Sequence, residues 1–190
     1  MKKLFITFTF LAGVSVAAYG QTAINLTGYT DYSDGEWVLG FEFSPVNNIS
    51  VTALGSFFPG GATDQHSVGI WNAAQVELAS ANVTGTGTEG FDYTAITPLV
   101  LTAGTDYVIG ATTLNDDYAD QSATFTVNPG INYIQHVELS SATLAYPTLV
   151  QSFSDFGANF QFTAVPEPGS MTILTAGALV GLGLFRRLKS

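Results

Sequence analysis

Trp37-Val38-Leu39-Gly40-Phe41-Glu42-Phe43 decides the fold. Trp37, Leu39, Phe41 and Phe43 fall on one side of an extended chain, and Val38, Gly40 and Glu42 on the other. Strand side chains alternate with period two, so the stretch is a strand with one strongly apolar face. Downstream, Pro45 to Asn48 is a turn and Ile49 to Phe57 a second strand, with Ile49, Val51 and Ala53 on one face. Pro59-Gly60-Gly61 is a loop. His66 to Trp71 and Gln75 to Val83 form a hairpin joined by Asn72-Ala73-Ala74. Thr84 to Gly90, with Gly85, Gly87 and Gly90, is expected to be a mobile loop. Further strands are expected at Phe91–Thr94, Leu99–Leu101, Asp106–Thr113, Ser122–Val127, Tyr133–Leu139 and Asn159–Ala164, while Ser140 to Asp155 is ambiguous. About nine short strands at roughly 12-residue spacing fit one jelly-roll-like antiparallel β-sandwich over residues 21–164.

Composition agrees. The chain is rich in Thr, Val, Phe, Tyr and Gly, which favours an all-β fold. It has no cysteine, so burial or a metal must do what disulfides do in many exported domains. All five basic residues (Lys2, Lys3, Arg186, Arg187 and Lys189) lie at the two ends. Of the 15 acidic residues only Glu167 lies outside 21–165, so that body carries 14 acids and a formal charge of −14, against −10 for the whole chain. Nucleic-acid binding needs Lys and Arg to neutralise phosphates and is excluded for this body. Anionic lipids and phosphate ligands are disfavoured for the same reason. The acids must be solvated, hydrogen-bonded or bound to cations; a solubilising acidic surface is the plainest reading.

The ends read as addresses. Lys2 and Lys3 precede an apolar run from Leu4 to Val16, and Ala18-Tyr19-Gly20 offers small residues to a signal peptidase. Residues 1–20 are therefore expected to be a signal peptide cut before Gln21, with a cut after Ala17 as the alternative. At the other end, Val165-Pro166-Glu167-Pro168 breaks regular structure, because proline lacks an N–H and biases its neighbour away from helix. Met171 to Phe185 is uncharged and precedes Arg186-Arg187-Leu188-Lys189-Ser190. As helix that run spans roughly 22 Å, against a bilayer core of about 30 Å. A transmembrane helix over 170–188 therefore borrows the stems of its basic end (186–190), which positive-inside placement puts on the cytoplasmic side.

This tail, residues 165–190, closely resembles the PEP-CTERM sorting signal of Gram-negative bacteria. The resemblance rests on Pro166-Glu167-Pro168, the glycine-interrupted apolar run and the Arg186-Arg187 end. It implies recognition and cleavage by an exosortase, transient residence in the inner membrane, and delivery to the cell surface or extracellular space. The bacteria concerned make extracellular polysaccharide and biofilm. Val165, Pro166, Glu167, Pro168, Arg186 and Arg187 would be the sorting motif, and the protein a substrate of that system. A second resemblance covers residues 37 to about 113, through Gly40-Phe41-Glu42-Phe43, His66-Ser67-Val68-Gly69-Ile70-Trp71-Asn72 and Leu101-Thr102-Ala103-Gly104-Thr105-Asp106-Tyr107. These blocks look like an uncharacterised β-sandwich domain of secreted bacterial proteins, which implies a fold and no activity.

Three chemistries can be weighed on the body. A nucleophilic triad needs a base, and only His66 and His136 are available. There is no cysteine and no Gly-x-Ser-x-Gly elbow, and both histidines fall in apparent strands, so structural roles are expected and no enzyme. Paired carboxylates of a hydrolase are the least favoured reading. Asp31, Asp34 and Glu36, and Asn115, Asp116, Asp117 and Asp120, place hard oxygen donors in loops, where a structural Ca²⁺ would offset the anionic body. Tyr29, Tyr32, Phe57 and Phe58 can stack on sugars if exposed, one of the two phenylalanines pointing outward, whereas Trp37 and Trp71 belong to core strands. The expectation is an exported, non-catalytic structural or adhesive protein, with an exopolysaccharide-binding module as the alternative and a secreted hydrolase third.

Overall fold

The computed structural model describes residues 20–115, 118–119, 123–152 and 155–165. The signal segment through Tyr19 lies outside the described residues. So do the sorting residues beyond Val165 (Pro166, Glu167, Pro168, Arg186 and Arg187, with the helix 170–188), and the candidate ligands Asp116, Asp117 and Asp120. Among the described residues no helix is long and apolar enough to cross a membrane.

The described chain is all β. Its strands are β1 (Gln21–Thr22), β2 (Ile24–Gly28), β3 (Asp31–Tyr32), β4 (Trp37–Pro45), β5 (Ile49–Phe58), β6 (Gln65–Asn72) and β7 (Glu77–Thr84). They continue as β8 (Gly90–Leu101), β9 (Tyr107–Thr112), β10 (Tyr118–Ala119), β11 (Thr124–Val127), β12 (Ile131–Ser140), β13 (Leu149–Gln151) and β14 (Ala158–Ala164). One sheet has the order β13-β12-β4-β9-β6-β7 and the other β1-β14-β5-β8; the pairs β3–β10 and β2–β11 form small separate ladders. Every ladder is antiparallel.

The two larger sheets close over one core, which gives a sandwich-like body. Phe41 and Phe43 of β4, Val68 and Ile70 of β6, and Ile109 and Ala111 of β9 are buried against Val51, Leu54 and Phe57 of β5, Leu101 of β8 and Phe160 of β14. The Phe43 and Phe160 rings, one from each sheet, lie 4.7 Å apart. Apolar alternation on β4 thus chooses the inner face, and ring contacts fix the spacing of the layers. Asn159 is fully buried beside this core, yet its amide is satisfied. It donates to Ile24 O (2.9 Å) and accepts from Phe160 N (2.8 Å), which couples β2 to β14.

Several expectations change. Phe91–Thr94 and Leu99–Leu101 are one strand, β8. It lies at a sheet edge, and its register against β5 shifts between Val51 and Ala53, opposite the segment that contains Pro98. An edge with such an irregularity tolerates a residue that has no N–H to donate. The expected start of the hairpin's second strand moves from Gln75 to Glu77. Asn72 Oδ1 accepts from Ala74 N and Val76 N at 3.0 Å each, and Gln75 takes a left-handed φ of 62° within that turn. The segment after β7, expected to be mobile, is tied down. Gly85 N donates to Asp64 O (3.0 Å), Gly87 N to Ala62 O (2.9 Å) and Thr86 N to Asp92 Oδ2 (2.7 Å).

The ambiguous stretch after β12 covers the outer face of the larger sheet. Gly40, Gly110 and Gly69 are paired across β4, β9 and β6. Leu144 and Pro147 approach this glycine row: a Cβ on Gly69 would lie 3.2 Å from Leu144 Cδ2, and one on Gly110 3.4 Å from Pro147 Cγ. Beside the row, Trp71, Val108 and Val137 bury against Leu144 and Tyr146. Trp71 is therefore buried, as expected, but in this second cluster and not between the sheets.

The charge distribution sets the sign of a salt effect. With no Lys or Arg between Gln21 and Val165, long-range forces among the body's charges are repulsive. Raising NaCl from about 0.01 M to about 1 M shortens the screening length from about 30 Å to about 3 Å. The melting temperature, followed by circular dichroism, should rise by several degrees over that range. A fall would show that attractive ion pairs dominate instead.

Candidate functional site

The two acidic segments singled out in the sequence meet in space. Asp31 and Tyr32 pair with Ala119 and Tyr118 through β3 and β10. Asp34 Oδ1 accepts hydrogen bonds from Trp37 Nε1 (2.7 Å) and Tyr118 Oη (2.9 Å). Ser33 Oγ donates to Asn115 O (3.3 Å), and Asn115 Nδ2 lies 3.5 Å from Glu36 Oε1. Asp31, Asp34, Glu36 and Asn115 are all exposed. Burial, and after it the hydrogen bond to Asp34, raise the Tyr118 phenol's pKa, so the phenol keeps its proton and donates. Asp34 thus orders a corner of the fold through neutral donors, and a cation is not needed to explain its position.

Of the expected sugar-stacking residues, only Tyr32 is well exposed, at 46%. Its ring meets Tyr118 edge-on at 6.1 Å. Tyr29 is half-buried, packs edge-on against Phe57 at 5.2 Å and donates to Glu89 Oε1 at 2.6 Å. That bond, with burial, pushes the Tyr29 phenol up to about 12. The outward phenylalanine is a correction: Phe57 is 1% exposed and Phe58 0%. Phe57 enters the main core, and Phe58 stacks on His66 at 4.4 Å. A strand whose two faces are both covered can bury adjacent residues, which the alternation rule for a half-exposed strand does not foresee.

His66 has the partners of a catalytic base without the access. Ser56 Oγ lies 2.9 Å from its Nδ1, and Asp64 Oδ2 3.7 Å from its Nε2. Ser56 and His66 are both sealed from solvent, and Ser56 Oγ also lies within 3.2 Å of the Gly157 carbonyl. A nucleophile must reach a substrate carbonyl, and this hydroxyl instead joins β5 to the segment before β14. Burial is the main influence on His66 and lowers its pKa, opposed by Asp64. The unfolded chain therefore binds a proton below about pH 6.5 that the folded chain refuses. Stability is retained above that pH and falls as pH drops toward the lowered folded pKa. Thermal melts between about pH 7 and pH 5 should show the decline, and His66→Gln should flatten part of it; an unchanged slope would remove His66 as its source.

A third group of acid and imidazole side chains is assembled by the fold. His136 and Glu138 lie two apart on β12, so their side chains leave the same face. Asp155, just before Phe156 and β14, meets them there. All three are buried, and one donor atom from each lies within 4.8 Å of the others. Glu138 Oε2 is 3.7 Å from His136 Nε2, too long for a hydrogen bond. Burial pushes the imidazole down to about 4, so at neutral pH this contact is not an ion pair. Among the described residues neither ring nitrogen of His136 has a hydrogen-bond partner. Glu138 Oε1 is anchored, accepting from Gln151 Nε2 of β13 at 2.6 Å. The period-two spacing of His136 and Glu138 was visible in the sequence; nothing there pointed to Asp155.

The described residues thus define a cysteine-free, antiparallel, sandwich-like β domain with an acidic surface and a buried His–Glu–Asp group. The chain belongs to the family described as Domain of unknown function (DUF4082), whose profile it matches over residues 27–152, more than half its length. The match runs from within β2 to just past β13, so it contains His136 and Glu138 and stops before Asp155. No curated protein matches the chain.

Proposed function

We propose that this protein is an exported, non-catalytic component of a Gram-negative cell surface or extracellular matrix. In this reading a signal peptide delivers it and an exosortase-type system sorts it. The observation that carries the reading is the confinement of every Lys and Arg to residues 2–3 and 186–189, around a body that has none. Two basic membrane-crossing handles on an anionic domain are what export and positive-inside placement require. The buried state of Ser56 and His66 supports a structural role over hydrolysis. A jelly-roll-like form of the sandwich is supported by the chain's repeated passage between the sheets, at β4 to β5, β5 to β6, β7 to β8 and β8 to β9. Mass spectrometry of the protein recovered from its host tests the proposal. Loss of residues 1–20 and cleavage near Val165–Pro168 are expected, and an intact chain in the cytoplasm would refute it.

Exopolysaccharide binding is the second reading, and the exposed Tyr32 ring favours it. Stacking on a sugar ring needs an exposed aromatic face held in a fixed orientation, and the edge-on contact with Tyr118 supplies that orientation. The purified protein on a polysaccharide array should then lose its signal on Tyr32→Ala. Flat binding across the array leaves only the structural reading.

A further inference from the structure

We propose that His136, Glu138 and Asp155 bind a divalent transition-metal ion of the zinc type, which clasps the larger sheet to the segment leading into β14. The donor set is one imidazole nitrogen and two carboxylates. Imidazole selects borderline ions such as Zn²⁺, Co²⁺ and Fe²⁺, whereas Ca²⁺ takes six or more oxygens. Tetrahedral donors around an ion at about 2.1 Å stand about 3.4 Å apart, and His136 Nε2 and Glu138 Oε2 are already 3.7 Å apart.

Two independent observations point to a ligand. His136 is 2% exposed, and neither ring nitrogen has a hydrogen-bond partner among the described residues. A buried polar group is normally satisfied, and one without a partner signals something that completes it. The second is charge. Glu138 and Asp155 are each 6% exposed in a body that has no Lys or Arg anywhere between Gln21 and Val165. Two carboxylates drawn together inside an anionic body repel each other, and a dication held between them offsets that charge. The Gln151 amide on Glu138 Oε1 is the outer contact that orients a ligating carboxylate and leaves Oε2 turned to His136.

The placement gives the ion a structural role. His136 and Glu138 belong to β12, next to the edge of the six-stranded sheet. Asp155 adjoins Phe156, which bridges to Ala119 of β10, and leads into β14 of the other sheet. An ion there joins the two layers of a chain that has no cysteine to do so.

The test uses the full chain, purified in detergent, stripped with a chelator during unfolding, and refolded with Zn²⁺, Co²⁺, Ca²⁺ or no ion. One Zn²⁺ or Co²⁺ per chain should be retained by elemental analysis, and Co²⁺ should show visible ligand-field bands. The melting temperature should rise by about 8 °C at an ion concentration 100-fold above Kd. Because replacing His136 leaves a gap in the interior, Asp155→Asn, which keeps the side chain's shape, carries the comparison. It should weaken Zn²⁺ binding at least about 10-fold, while Glu77→Gln on the exposed β7 leaves binding as in the parent. Absence of retained ion and of any melting shift would overturn the site. Unchanged Zn²⁺ binding by Asp155→Asn, or a shift with Ca²⁺ alone, would overturn it equally.

Discussion

Gly40→Ala unfolds the sandwich or lowers its melting temperature by more than about 10 °C. Gly40 faces Gly110 in the β4–β9 ladder. A Cβ at position 40 would overlap Ile109 O and lie 2.8 Å from Gly110 Cα. Both are main-chain atoms in the middle of the six-stranded sheet, and no rotamer change removes them. The two strands would have to part, and the ladder from Val38–Thr112 to Phe43–Tyr107 would loosen with them. Ordinary overpacking of a core costs about 1–3 kcal/mol. A clash with backbone belongs at the top of that range or above it, a large share of the about 5–15 kcal/mol that holds a domain together. Gly60→Ala is the control. The nearest atom to its added methyl is Glu89 Oε2 at 3.7 Å, an ordinary contact, and its effect should stay within about 0.5 kcal/mol. Melting curves of both variants decide; a Gly40→Ala protein that melts with the parent would mean the strands stand further apart than described.

Phe41→Ala is expected to cost about 3–5 kcal/mol by urea denaturation, with the midpoint falling and the slope unchanged. Phe41 is fully buried on the inner face of β4. Its ring centre lies 5.8 Å from Phe43, 5.7 Å from Tyr133, 6.4 Å from Phe160 and 6.5 Å from Phe156. It therefore touches both layers and the segment that carries Asp155. Removing the ring loses its transfer free energy and leaves a cavity that four flanking aromatics cannot easily fill, since close-packed interiors relax only in part. Val100→Ala on edge strand β8, where Val100 is 61% exposed, should change stability by less than about 0.5 kcal/mol. A cost for Phe41→Ala below about 1.5 kcal/mol would show that the two layers do not close over this ring.

Local pattern and tertiary contact divide the account of this protein between them. Period-two alternation in Trp37–Phe43 identifies a strand because the chain's own geometry sends neighbouring side chains to opposite faces. The strand at β4, the hairpin of β6 and β7, and the strands at β9, β12 and β14 were legible on that ground. The union of Phe91–Thr94 and Leu99–Leu101 was not, because Pro98 reads as a break unless its strand is known to lie at an edge. The burial of both Phe57 and Phe58 was equally hidden, because alternation says which residues share a face and not whether both faces are covered. The coming together of Asp34, Glu36 and Asn115 was suggested only as two separate acidic runs; the β3–β10 ladder joins them.

By itself the sequence determined that the body is all β, that it has no cysteine and that its positive charge sits only at the ends. Those properties follow from short-range geometry and from counting. Only the tertiary structure decided that Asp155 meets His136 and Glu138, that a glycine row seats Leu144 and Pro147, and that Ser56 and His66 are sealed inside. Each of these depends on how separate strands and segments are brought together. Strand pairing and layer closure set such contacts, and no local pattern records them.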